Sequence, residues 1–168
     1  MSRVGECPYR LRINHAKKGL YSTWFYDEKF VLEKFPGSTS VLEIDGSMYL
    51  GFLHHGAIQR AFATACDHFT KRMIDPHALH VTISRYHTLN DLKTYFSRYG
   101  QVYCVVDHLS IKGRYAFVNF MCREASLRAL RDGSVHMING SRVKVRGKVL
   151  SATEPYSPAP YSPARLLM

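Results

Sequence analysis

Acidic residues are scarce in this chain, with 13 Asp and Glu against 23 Lys and Arg among 168 residues. Paired-carboxylate chemistry has little to draw on, and no nucleophile elbow, phosphate-binding glycine loop or metalloprotease helix occurs, so a protein that is not an enzyme and carries no cofactor is expected. Cysteine is equally sparse: Cys7, Cys66, Cys104 and Cys122 are widely spaced and form no CxxC pair. That spacing is no disulfide framework, and adding His54, His55 and His68 to Cys66 gives no zinc-finger or knuckle pattern, so no metal is expected. No apolar run reaches membrane-spanning length and no secretory leader pattern is present. The expectation is a chain with reduced thiols and no membrane association, in the nucleus and/or cytoplasm.

Positive charge and aromatic rings are what the chain does have. Residues 78–153 hold 12 Lys and Arg against 4 Asp and Glu, whereas residues 1–77 hold 10 against 8, so most of the formal charge of +10 lies in the second half. Within that half, Lys112-Gly113-Arg114-Tyr115-Ala116-Phe117-Val118-Asn119-Phe120 alternates as a strand does. Ala116, Val118 and Phe120 face one way, and Tyr115, Phe117 and Asn119 the other. A strand with one apolar face and aromatics on the other offers a stacking platform, whose usual guests are nucleobases.

Gly113 to Phe120 resembles the longer RNP motif of the RNA recognition motif (RRM) family at six of eight positions, with Gly113 where a basic residue is usual and Arg114 where glycine is usual. The shorter RNP motif of that family is matched by Leu79-His80-Val81-Thr82-Ile83-Ser84, with His80 where Phe or Tyr is usual. The flanking order agrees with the resemblance. Leu89, Leu92, Tyr95, Phe96 and Tyr99 recur at helical spacing and stop at Gly100; Gln101–Asp107 reads as a strand; Glu124–Arg131 reads as a helix with Ala125, Ala129 and Leu130 inward. Asn139-Gly140 then makes a turn into a strand over Arg142–Arg146. The resulting β-α-β-β-α-β order predicts an α+β, ferredoxin-like fold for residues 78–153. The resemblance implies single-stranded RNA as partner, with His80, Tyr115 and Phe117 stacking on bases and Asn119 on the same face. Lys112, Arg114, Lys144 and Arg146 would engage phosphate or base edges.

The first 77 residues carry Trp24, Phe25, Tyr26, Phe30, Phe35, Tyr49, Phe52, Phe62 and Phe69, so they should fold rather than form a disordered arm. A shift of 68 residues lays Phe52 on Phe120, Ala57 on Ala125 and Ala61 on Ala129, which suggests a degenerate, partly truncated RRM-like half. In that reading Tyr9–Asn14, Val41–Asp45 and Ser47–Phe52 are strands, Phe30–Phe35 is helical, and a helical run from Ala57 to about Met73 leaves little room for a fourth strand. Ser47 and Tyr49 fall where Tyr115 and Phe117 stand, a poor platform. An extension that packs on the second domain is the other reading, and both leave a contact role more favoured than RNA binding for this half. Asp75-Pro76-His77 marks the expected boundary. From Glu154 the chain is Pro- and Ser-rich, with Tyr-Ser-Pro-Ala at 156–159 and 161–164, and a flexible tail is expected over 154–168.

Two functions follow. One is a single-stranded RNA-binding protein that regulates mRNA post-transcriptionally, in processing, stability or translation. The other is an RRM adaptor in a ribonucleoprotein or translational-repressor complex, binding protein partners through residues 1–77 or the RRM helices with little RNA affinity of its own.

Overall fold

A computed structural model of the chain describes residues 3–15, 28–44, 46–64, 69–111 and 113–150. The chain divides into two compact units between Ile74 and Asp75. In the first unit, β1 (Tyr9–His15), α1 (Glu28–Lys34), β2 (Ser38–Ile44), β3 (Ser47–Phe52) and α2 (His55–Ala63) lead into β4 (Phe69–Ile83). The strands are ordered β2-β3-β1-β4 with antiparallel pairing throughout. Alternation decides the core: Leu11 and Ile13 of β1 and Leu50 and Phe52 of β3 are buried together with Val31 of α1 and Ala57, Ile58 and Ala61 of α2.

The fourth strand of this unit is present, against the expected helical run to Met73. Helix α2 ends at Ala63, with Thr64 in an extended conformation, and Phe69–Ile74 pairs with β1 from Arg10↔Ile74 to His15↔Phe69. Lys71 explains the reversal. From β4 its ammonium donates to the carbonyl oxygens of Ala61, at 3.4 Å, and of Thr64, capping a helix end whose carbonyls have no partner within the helix. Asp75-Pro76-His77, expected as a joint, lies inside β4.

The second unit takes the remainder of β4 and continues through α3 (Leu89–Phe96), β5 (Val102–Ser110), β6 (Gly113–Phe120), α4 (Arg123–Arg131), β7 (Val135–Ile138) and β8 (Ser141–Val149). Strand order is β8-β4-β6-β5, with β7 paired to the other side of β8. This is the ferredoxin-like α+β arrangement, and β7 is an addition that the sequence reading lacked. Leu79, Val81 and Ile83, Ala116, Val118 and Phe120, and Val143 and Val145 bury one sheet face with Leu92 and Phe96 of α3 and Ala125, Ala129 and Leu130 of α4.

Local chemistry sets the ends of these elements. Helix α3 opens on a reciprocal cap, Asp91 N–H to Thr88 Oγ1 at 3.0 Å and Thr88 N–H to Asp91 Oδ2 at 2.9 Å. Asn139 and Gly140 both take positive φ, 52° and 78°, as a tight hairpin between β7 and β8 requires. Gly100 is needed for a different reason than a helix stop: a Cβ there would lie 2.7 Å from the Cβ of Ala125 in α4. Gly37 approaches Ala57 in the same way in the first unit, at 2.8 Å.

Two histidines satisfy buried polar groups of the second unit. His87 accepts at Nδ1 from the Ser84 N–H, which leaves Nε2 to donate to the Ile138 carbonyl at 3.1 Å. His136, on the inner face of β7, joins the carbonyls of Ala129 and Gly133 at Nε2 to the Tyr95 hydroxyl at Nδ1. The Tyr99 hydroxyl donates to Asp132 at 2.7 Å, and burial first, then this bond, pushes its pKa up.

Candidate nucleic-acid interface

Strand β6 presents Tyr115 and Phe117 on the face away from the helices, as the alternation predicts. Cross-strand pairing brings others to them: His80 of β4 lies opposite Phe117, and His108 of β5 lies opposite Tyr115. The ring of Tyr115 is near-parallel to both imidazoles, with centroids 4.7 Å from His80 and 5.2 Å from His108. Since β4 and β5 flank β6 on opposite sides, the three rings form one stack with Tyr115 in the middle. Phe117 stands edge-to-face against all three, at 5.7, 4.9 and 5.5 Å.

Sequence reading missed His108, and the cause is local. A register shift between Val102 and Cys104 inverts the parity of β5, so that Cys104, Val106 and His108 share the face of the rings. Asn119 sits across from this irregularity. Its amide points at the Cys104 carbonyl and thiol and its side chain is buried, so Asn119 braces the strand edge rather than lining an open surface.

The cations divide between two faces. In β8, Val143, Val145 and Gly147 are buried while Arg142, Lys144 and Arg146 are exposed, so Lys144 and Arg146 stand on the ring-bearing face as expected. Lys148, beyond the expected end of that strand, places its ammonium 4.6 Å from the centroid of Phe117. Arg114 is elsewhere. It shares the helix-side parity of Ala116 and binds Asp107 through two nitrogens, Nε at 3.0 Å and Nη2 at 3.0 Å, while Nη1 donates to the carbonyls of His87 and Ser84. Arg114, expected to contact RNA, is thus placed in a brace between β5, β6 and the loop before α3. Lys112 lies outside the described residues.

Burial first, then the charge of Arg146, lowers the pKa of His80, against a hydrogen bond to its own backbone. Its Nδ1 is buried and, among the described residues, meets no hydrogen-bond partner from another residue. Among the described residues no carboxylate stands on this face of β4, β5, β6 or β8, because Asp107 is turned to Arg114.

The equivalent face of the first unit is closed. Register reproduces the 68-residue shift pair by pair: Arg12↔Tyr49 and Leu11↔Leu50 there match His80↔Phe117 and Leu79↔Val118 here. Tyr49, at the position of Phe117, is only 4% exposed. A 3-10 turn at Val4–Glu6 precedes Cys7, whose sulfur reaches the Thr39 hydroxyl at 3.4 Å and lies 2.5 Å from where a Cβ on Gly51 would be. Val4 and Cys7 are buried. Gly51 thus admits the sulfur, and the chain's own first residues occupy this face.

Of the histidines and cysteines weighed for metal, His54 and His55 are exposed at the start of α2, and Cys66 and His68 lie outside the described residues. No group of three or more His, Cys, Asp or Glu among the described residues is placed to hold a metal ion. No helix among them is long and apolar enough to cross a membrane.

No family model matches the chain, and no curated protein matches its sequence. Among solved structures it is similar to the RRM3 domain of Mip6, at 19% identity and a TM-score of 0.39 over 43% of this chain and 91% of that one. It is also similar to a chain of an Sxl-lethal protein/RNA complex, at 18% identity and a TM-score of 0.37 over 82% and 97% of the two chains. The penultimate RNA recognition motif of RBM19 shares 24% identity, with a TM-score of 0.37 over 51% and 94%. The assignment of the fold rests on strand order and register, which stand without these likenesses.

Proposed function

We propose that the second unit binds single-stranded RNA on the open face of its sheet and that the chain acts without catalysis as a post-transcriptional regulator of mRNA, in the nucleus and/or cytoplasm. The observation that carries this reading is the coincidence of four rings, His80, Tyr115, Phe117 and His108, with the row Arg142, Lys144, Arg146 and Lys148 on one face that holds no carboxylate among the described residues. Bases need the rings and phosphates need the cations.

In this reading Phe117 takes the base. Tyr115 stacks with an imidazole from each neighbouring strand, whereas Phe117 carries the Lys148 ammonium over its ring. A cation over a ring is worth about 0.5–2 kcal/mol, and base–aromatic stacking returns about 1–3 kcal/mol per base. Phe117 is accordingly the primary stacking residue, and Tyr115 holds the imidazoles in place. Phe117→Ala should weaken binding of an oligouridylate about 5- to 150-fold with the fold intact by circular dichroism; unchanged affinity in the folded variant would reject the platform.

A second reading keeps its own observation. With the sheet face of the first unit occupied by Val4 and Cys7, the described residues of this unit offer no open platform, and a protein partner held by it fits better than a second RNA site. Salt separates the two: RNA affinity should fall steeply between low and moderate ionic strength, and a partner held by apolar surface should respond little.

A further inference from the structure

We propose that RNA binding on this face is proton-linked, with His80 taking up a proton as phosphates arrive, so that affinity rises as pH falls through the histidine range. The inference rests on the RNA-binding reading above and adds how that site is regulated. It starts from the placement of two imidazoles on either side of Tyr115, close to Arg146 and Lys148. Among the described residues the other charged and titratable groups on the same face are Tyr115 from β6, Cys104 from β5, and Arg142, Lys144, Arg146 and Lys148 from β8, while Asp107 and Arg114 face the other way and neutralise each other.

In the unliganded protein burial and the charge of Arg146 disfavour an imidazolium at His80, against a weaker hydrogen bond to its own backbone, and among the described residues its Nδ1 meets no acceptor from another residue. Phosphates lying along β8 reverse the sign of the local field, since each brings a negative charge within reach of both rings. His80 then has a higher pKa with RNA than without it. The sign follows from linkage: a group whose pKa is raised in the complex binds protons on association, so affinity gains as pH falls below the bound value and levels off below the free one. The free value of His80 lies below the usual 6.5 through burial and the charge of Arg146, so the gain extends to the acid side of the histidine range.

The test is fluorescence anisotropy of the full chain with a rhodamine-labelled oligouridylate, whose base takes no proton in this range, at fixed ionic strength from pH 7.5 to pH 5.5. The expected result is a rise in affinity of about tenfold, lost in His80→Gln. A slope that survives in His80→Gln, or a flat profile with clear binding, overturns the proton link and leaves the RNA-binding reading standing. Absence of binding at every pH overturns both. A thermal melt of the variant verifies that this position, which faces away from the core, tolerates glutamine.

Discussion

Phe117 and Tyr49 occupy the same register position in the two units, opposite His80 and Arg12, yet one lies on an open ring cluster and the other beneath the chain's own N-terminal turn. The cores below them agree closely: Phe52 and Phe120, Ala57 and Ala125, and Ala61 and Ala129 are all buried at positions 68 residues apart. One backbone plan therefore serves two surfaces, and the difference resides in a few outward residues. Where the second unit has Tyr115 and Asn119, the first has Ser47 and Gly51. Removing the side chain at 51 creates the space into which Cys7 packs.

This comparison can be broken at its foundation first. Phe52→Ala and Phe120→Ala should each cost about 3–5 kcal/mol in urea denaturation, because each empties a fully buried site; a much smaller loss for Phe52 would mean that the first core is not the equal of the second. Next is the closed face. Gly51→Asn, which installs the residue of the second unit, forces the sulfur of Cys7 away and should cost about 1–3 kcal/mol of stability. Tyr49→Ala should destabilise the protein and leave oligouridylate affinity unchanged, in contrast to Phe117→Ala. Charge gives a finer contrast within the second unit: Arg146→Gln should lower the slope of log affinity against log salt by about 0.7, while Arg114→Gln should leave the slope alone and reduce stability.

The smallest effect concerns Asp107. Hydrogen bonding to Arg114, then the guanidinium charge, holds its carboxyl below the usual range. A depressed folded value means that the stabilisation is present above the unfolded carboxylate pKa, about 3.9, and is lost as pH falls through the folded one. Asp107→Asn should therefore lose less stability than wild type across that acid interval, measured by denaturation at successive pH values.

Much of the second unit could be read from its residues because a half-buried strand must alternate, and Ala116, Val118 and Phe120 do so without interruption. The site was legible where it shared that strand or a regular neighbour, as with His80, Lys144 and Arg146. It failed where regularity failed. The irregularity at Tyr103 inverts the parity of β5 and hides His108, and β7 turns His136 inward, so its polar residue sits where an apolar one marks a strand. In the first unit, α2 ends without glycine or proline, and the capping group is Lys71, which comes from the following strand. No local signal announces such a stop. Arg114 shows how charge and parity can point apart: its basic character suggested phosphate, and its parity with Ala116 sets it on the inner face beside Asp107.

Cys7 and Cys122 give the molecule a built-in clock. Cys122 is exposed and Cys7 is fully buried beneath the N-terminal turn, so a thiol reagent should modify Cys122 at the rate of a free thiol and Cys7 only during excursions that lift the turn. The ratio of the two rates, read by mass spectrometry on the unmodified chain, measures the free energy holding that face shut.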